Sequence, residues 1–149
     1  MDRVVVDTSV VVAALRSRHG PANEVLRRVA TKKLVLLATP PLFLEYEDVL
    51  KRPEHRLAHG LLLPQVDNFL SELAALIEPV EIHFQWRPQL RDPSDEMVLE
   101  AAINGGADKI ITYNTADFRL DQSWFHIPVL RPDQYLQSQI GNSKRSAHE

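Results

Sequence analysis

Short apolar runs of β-branched and aliphatic residues recur along this chain, and each gives way to a segment with helical spacing. The runs are Arg3-Val4-Val5-Val6, Leu34-Val35-Leu36-Leu37 and Lys109-Ile110-Ile111-Thr112. Runs this short and this continuously apolar read as buried strands. Strands that alternate with helices imply an α/β fold with a mostly parallel central sheet covered on both faces. In such sheets ligands bind beyond the carboxyl ends of the strands. The residues that follow each run are therefore the first place to look for chemistry.

The helical segments have readable ends. Val10 to Leu15 forms the first helix, with Asp7 or Ser9 as its cap. Gly20-Pro21 breaks it and opens a second helix to about Lys32. Pro40-Pro41 opens a third, which runs to about Arg52 and stops before Pro53. Leu63 to Ile77 is the clearest amphipathic helix, with Leu63, Val66, Phe69, Leu70, Leu73, Leu76 and Ile77 on one stripe. A short strand is expected around Val80–Ile82, followed by an irregular stretch over 84–94. Asp92-Pro93-Ser94-Asp95 starts a further helix that ends at Gly105-Gly106. Ile127 to Leu130 reads as an edge strand, where Pro128 is tolerated, and Pro132 to Gln139 as a terminal helix. The chain reads as one domain over 1–140 with a polar tail, 141–149, expected to be disordered.

Composition removes several function classes. There is no cysteine, which excludes disulfides, zinc–thiolate sites and thiol nucleophiles. No apolar stretch approaches the roughly 18 residues of a membrane span, and the N-terminus carries no cleavable leader, so the expectation is a soluble, cytoplasmic protein. The formal net charge of −3 argues against a purely electrostatic nucleic-acid binder. It leaves a nucleic-acid enzyme open, because a bound divalent ion inverts the local potential. Arg16, Arg18, Arg27, Arg28, Lys32 and Lys33 fall in one early stretch, either a solvated helix face or a phosphate-contacting patch.

Four acids stand where the topology makes them interesting. Asp7 follows the first strand directly, Glu45 lies in Pro40-Pro41-Leu42-Phe43-Leu44-Glu45-Tyr46, Asp95 opens a helix, and Asp117 follows the strand at 109–112. Taken singly, each has a structural explanation. Asp7 caps a helix, Asp95 completes a capping box by reaching back to a backbone N–H, Asn114 and Asp117 share that spacing, and Glu45 is a surface acid. Together they suggest more. Carboxylates gathered at one sheet edge repel each other and stay ionised together only if a cation joins them; hard oxygen ligands favour Mg²⁺ or Mn²⁺. Glu45 has no basic residue three or four positions away to serve as its partner.

The segments VVVDTSVVVAAL, PPLFLEYEDVLKRPEHR and RDPSDEMVLEAAINGGADKIITYNTADF resemble, in this order, the successive motifs of PIN-domain nucleases. The likeness runs from about residue 3 to about residue 135 and is nearest to the prokaryotic toxins of toxin–antitoxin pairs, the VapC-type ribonucleases. It implies a three-layer α/β/α sandwich and cleavage of RNA with Mg²⁺ or Mn²⁺. Asp7, Glu45, Asp95 and Asp117 match the four acids, as metal ligands and catalytic residues. Thr8 and Ser9 match the hydroxyl positions beside the first acid, and Asn114 a polar position near the fourth. Asp92 belongs to the same motif but is better placed as a helix cap. Many relatives carry an acid where this chain has Asn114, which leaves open whether one or two ions bind. The resemblance also implies a small antitoxin partner and a homodimer.

Other enzyme classes fit worse. A dehalogenase-type phosphatase needs a second aspartate two residues after the first, where this chain has Ser9. Neither GxxxxGK[ST] nor GxGxxG is present. His55 and His59 are four apart but enclose Arg-Leu-Ala without the glutamate of HExxH, so both read as surface histidines. A non-catalytic domain of the same fold, acting as RNA-binding module or scaffold, is the alternative to the nuclease.

Overall fold

The structure is a computed structural model that describes residues 1–83, 92–118 and 126–148, with side chains to Gly141. Five strands form one parallel sheet: β1 (Asp2–Val6), β2 (Leu34–Ala38), β3 (Ile77–Pro79), β4 (Lys109–Ile111) and β5 (Val129–Leu130). Their spatial order is β3-β2-β1-β4-β5. Val4, Val5 and Val6 are all fully buried. Successive strand residues point to opposite faces, so complete burial of three in a row means that helices cover the sheet on both sides. This is the α/β/α sandwich expected from the alternation of strands and helices, with every described strand parallel.

Seven α-helices accompany the sheet among the described residues: α1 (Thr8–Arg16), α2 (Pro21–Ala30), α3 (Pro40–Leu50), α4 (Pro53–His59), α5 (Leu63–Leu76), α6 (Pro93–Gly105) and α7 (Pro132–His148). Local chemistry explains most of the boundaries. Pro21, Pro40 and Pro93 sit in the first turns of their helices, where the missing N–H costs nothing. Thr39 caps α3 by accepting from the Leu42 N–H at 3.3 Å, and Asp92 caps α6 by accepting from the Ser94 N–H at 2.8 Å. Gly106, at φ 62°, ends α6 in the left-handed conformation that glycine adopts most readily. On α2 the buried residues Ala22, Val25, Leu26 and Val29 follow the i, i+3, i+4, i+7 pattern of one apolar face.

Four boundaries differ from the reading of the sequence. Pro53 does not merely end the third helix; it opens α4, which closes at Gly60 with φ 71°. None of the seven α4 residues is buried, so there was no apolar stripe to reveal it. The expected strand at Val80–Ile82 lies three residues earlier, because α5 runs straight into β3 and Ile77, assigned to the helical stripe, is the first strand residue. That stripe is also narrower than expected: Val66, Leu70 and Leu73 are buried, whereas Leu63 is 40% exposed. The terminal helix continues past Gln139 to His148. Most of the stretch read as irregular, 84–94, lies outside the described residues, with Asp92 and Pro93 falling at the start of α6.

The sheet order reverses direction at β1. The chain builds β2 and β3 on one side of it, then crosses over to place β4 and β5 on the other. The carboxyl ends of β1 and β4 therefore flank the switch point, where open α/β sheets leave a crevice. Tyr46 of α3 locks this end of the sheet. It is fully buried and its hydroxyl donates to the Val6 carbonyl, the last of β1. Burial, and next the charge of Asp7, push the Tyr46 hydroxyl well above its ordinary pKa, which keeps it a proton donor. Tyr46→Phe deletes that donor and should lower stability by about 1 to 3 kcal/mol, read by urea denaturation; an unchanged midpoint would show that the bond contributes nothing.

Candidate functional site

A cleft of about 410 Å³ opens at the switch point, and it gathers residues from five parts of the chain. Asp7, Thr8 and Ser9 enter from the β1–α1 junction, Glu45 from α3, and Asp92, Ser94 and Asp95 from the start of α6. Asn114 and Asp117 come from the segment after β4, and Arg16, Arg52 and His55 from the ends of α1 and α3 and from α4. All four acids singled out in the sequence thus line one cleft.

Asp7 is the best anchored of them. It is 4% exposed and occupies the N-cap position of α1, but its carboxylate makes no capping bond. Instead Oδ2 accepts from Ser9 Oγ at 2.9 Å and from Thr112 Oγ1 at 2.7 Å. The register of β1 against β4 pairs Val6 with Ile111, which sets Asp7 beside Thr112. Each hydroxyl accepts a backbone N–H in turn: Tyr113 donates to Ser9 Oγ at 3.2 Å and Asn114 to Thr112 Oγ1 at 3.0 Å. A hydroxyl that receives an N–H on its oxygen keeps its own proton for the carboxylate.

Asp95 is 6% exposed and does not complete a capping box, since Asp92 alone caps α6. Burial, and next the charges of Asp7, Asp92, Asp117 and Glu96, push its carboxyl up to about 7. Asp7, Asp92, Asp95 and Asp117 are therefore one electrostatic group, and Asp92 acts both as cap and as a cleft acid. Asp117 and Asn114 are exposed. Asp117 lies in a 3₁₀ turn, Thr115–Phe118, entered by a backbone bond from its N–H to the Asn114 carbonyl at 3.0 Å.

Glu45 is half-buried, and the partner it lacked in its own helix comes from another. Ser94 Oγ donates to Glu45 Oε1 at 2.8 Å. The four acids do not form a closed cage: among the described residues, no three His, Asp or Glu groups are gathered closely enough to hold an ion.

Four contributors went unnoticed in the sequence. Thr112 and Ser94 orient acids from 105 and 49 positions away, a relationship that appears only once strand pairing and helix packing are known. Arg52 and His55 furnish, with Arg16, the basic wall of the cleft. His55 and His59 do not act as a pair. His55 Nδ1 lies 3.3 Å from the Arg16 guanidinium, whereas His59 bridges the Leu50 carbonyl at 3.2 Å and the Leu61 N–H at 3.0 Å.

A parallel α/β/α sheet with acids from four segments at its switch point forms a carboxylate-lined cleft. The PIN domain family matches residues 3–116, and the chain belongs to it. Its members are generally nucleases and typically use divalent metals. No curated protein matches the chain.

The raised Asp95 pKa has a sign that can be checked. A carboxyl that ionises at about 7 when folded and at its ordinary 3.8 when unfolded takes up protons on folding, so stability falls as pH rises across that interval. Asp95→Asn removes this contribution. The stability gap between the variant and wild type should open between pH 3.8 and about 7 in favour of the variant, then level off. Thermal melts of the two proteins that run parallel from pH 4 to pH 8 would refute it.

Proposed function

We propose that this protein is a metal-dependent endoribonuclease that hydrolyses RNA phosphodiester bonds, and that it is the toxin of a toxin–antitoxin pair. One observation carries the reading: Asp7, Glu45, Asp95 and Asp117 line a single cleft in which burial and mutual repulsion hold Asp95 partly protonated near neutrality. Such a site gains from a cation.

The donor set suits a hard divalent ion. Every candidate ligand is an oxygen, Asp7 Oδ1 takes no hydrogen bond among the described residues, and the buried Thr8 Oγ1 has no partner. Mg²⁺ or Mn²⁺ usually keeps several of its waters, with substrate phosphate completing the shell, so it needs no closed protein cage. Asp7, Asp95 and Asp117 are the residues that would hold it, directly or through its waters. A bound ion supplies charge neutralisation at the phosphate and an acidified water.

The chain's own groups do the rest. Ser9 and Thr112 fix Asp7, and Ser94 aims Glu45 to orient the attacking water and take its proton. The water oxygen bonds to phosphorus, the bond to the 3′ oxygen breaks, and that oxygen leaves with a proton. The products are a 5′-phosphate and a 3′-hydroxyl, with no covalent enzyme intermediate. The proposed partners are a small antitoxin and a second copy of the chain. Leu44, Leu57 and Leu62, each more than 60% exposed, offer apolar surface for such contacts. No described helix is long and apolar enough to cross a membrane, and the proposed site of action is the cytoplasm.

End-labelled RNAs incubated with Mg²⁺ or Mn²⁺ should be cut, and EDTA should stop the reaction. Asp7→Asn should lower the rate by more than about 100-fold, because losing even an indirect supporter of a metal ligand costs about 10- to 100-fold. A variant that cuts as well as wild type would refute the assignment. RNA binding without cleavage by the wild type would favour the non-catalytic scaffold.

A further inference from the structure

The six basic residues clustered early in the chain separate in space. Arg27 and Arg28 pair with Glu24 on α2, and Arg27 also donates to the Arg18 carbonyl at 2.7 Å. Of the six, only Arg16 lines the acidic cleft. It closes the last turn of α1, nine residues after Asp7, and its side chain is exposed.

Two other basic side chains share that wall. Arg52 is occupied by Asp48 at 2.8 Å. Arg16 has no carboxylate partner among the described residues, although five acids line the same cleft. Its hydrogen bond joins Nη2 to His55 Nδ1 at 3.3 Å. A guanidinium only donates, so in this hydrogen bond Nδ1 of His55 is the acceptor. The contact uses one N–H of the five and leaves the others available for a phosphate, which a guanidinium grips with two parallel bonds. His55 keeps the full positive charge of Arg16, whereas a carboxylate in its place would cancel it.

The element that supplies His55 fits this role. Helix α4 buries none of its residues, yet it packs against α1 and brings His55 to the Arg16 head. We infer that Arg16 binds a backbone phosphate of the substrate strand flanking the scissile bond, and that His55 is the positioning residue that aims it. This rests on the nuclease reading above. A polyanion entering a cleft of five carboxylates meets repulsion at its floor, and an uncompensated guanidinium on the wall gives it a foothold.

The test uses the full chain, fluorescein-labelled single-stranded RNA for binding in EDTA, and steady-state cleavage with Mn²⁺. Arg16→Ala should raise KM about tenfold with kcat nearly unchanged, the size expected for one lost charge-assisted bond. The slope of log Kd against log salt should become shallower by about 0.7, one single-strand phosphate contact. His55→Ala should raise KM but keep the wild-type salt slope, since the charge remains. His55→Asn, whose Oδ1 can stand in for Nδ1, should restore KM. Unchanged KM and slope in Arg16→Ala, or a loss confined to kcat, overturns the phosphate role while wild-type cleavage keeps the nuclease reading intact. Failure of His55→Asn to restore KM overturns the positioning role. A wild type that neither binds nor cuts RNA overturns both the nuclease reading and this inference.

Discussion

The bond from Thr112 Oγ1 to Asp7 Oδ2, 2.7 Å long, ties together the ends of the two strands between which the sheet order turns. The shape of the site depends on it. β1 and β4 lie side by side in parallel register, so their last residues arrive together at the same edge. Beyond that edge the two chains diverge, one into α1 and the other into the 3₁₀ turn that holds Asp117. Thr112 and Ser9 hold the first acid between these departing segments, and the amides of Asn114 and Tyr113 hold the two hydroxyls. The network is buried at its centre, where hydrogen bonds are stronger and unmet ones cost more. Its donors all converge on a single oxygen of Asp7, which leaves the other for a ligand.

The acids in this cleft are not equivalent, and the difference follows from what each one touches. Asp7 receives two hydroxyl donors and Glu45 receives one. Asp95 receives none among the described residues and sits as deeply as Asp7, so burial and repulsion act on it without relief. A protonated Asp95 lowers the charge of the group near neutrality, which is one way a fold tolerates four carboxylates together. A cation is the other way. Were an ion bound there, as proposed above, proton and ion would compete for the same group.

The sequence was most legible where burial was most complete. The runs at 3–6, 34–37 and 109–112 fall on strands that helices cover on both faces of the sheet, and their apolar continuity reports this directly. Helix α4 was hidden for the opposite reason, since none of its residues is buried. At the α5–β3 junction, Ile77 serves a helical stripe and a strand equally well, and only pairing with Leu36 decides between them. Asp7 and Asp117 were found because their position after strands has a topological meaning, and Glu45 and Asp95 because their segments resemble family motifs. Ser94 and Thr112 were not, because a lone hydroxyl acquires a role only from a neighbour distant in sequence. Glu45, without a basic neighbour on its own helix, receives a hydrogen bond from a serine on α6.

The cleft is built from materials of unequal stiffness. Its floor rises from β1, β4 and the first turns of α1 and α6, where residues such as Val6, Val10, Val98 and Ile111 are fully buried. Its wall includes α4, bounded by Pro53 and a left-handed Gly60, with no buried residue of its own. Elements with few buried apolar contacts open at low free-energy cost, whereas those in the core open only with the whole fold. Asp7 and Asp95 stand on the floor, whereas Arg52 and His55 stand at the start of α4 and within it. Buried carboxylates thus stand beside a basic rim that fewer apolar contacts hold in place.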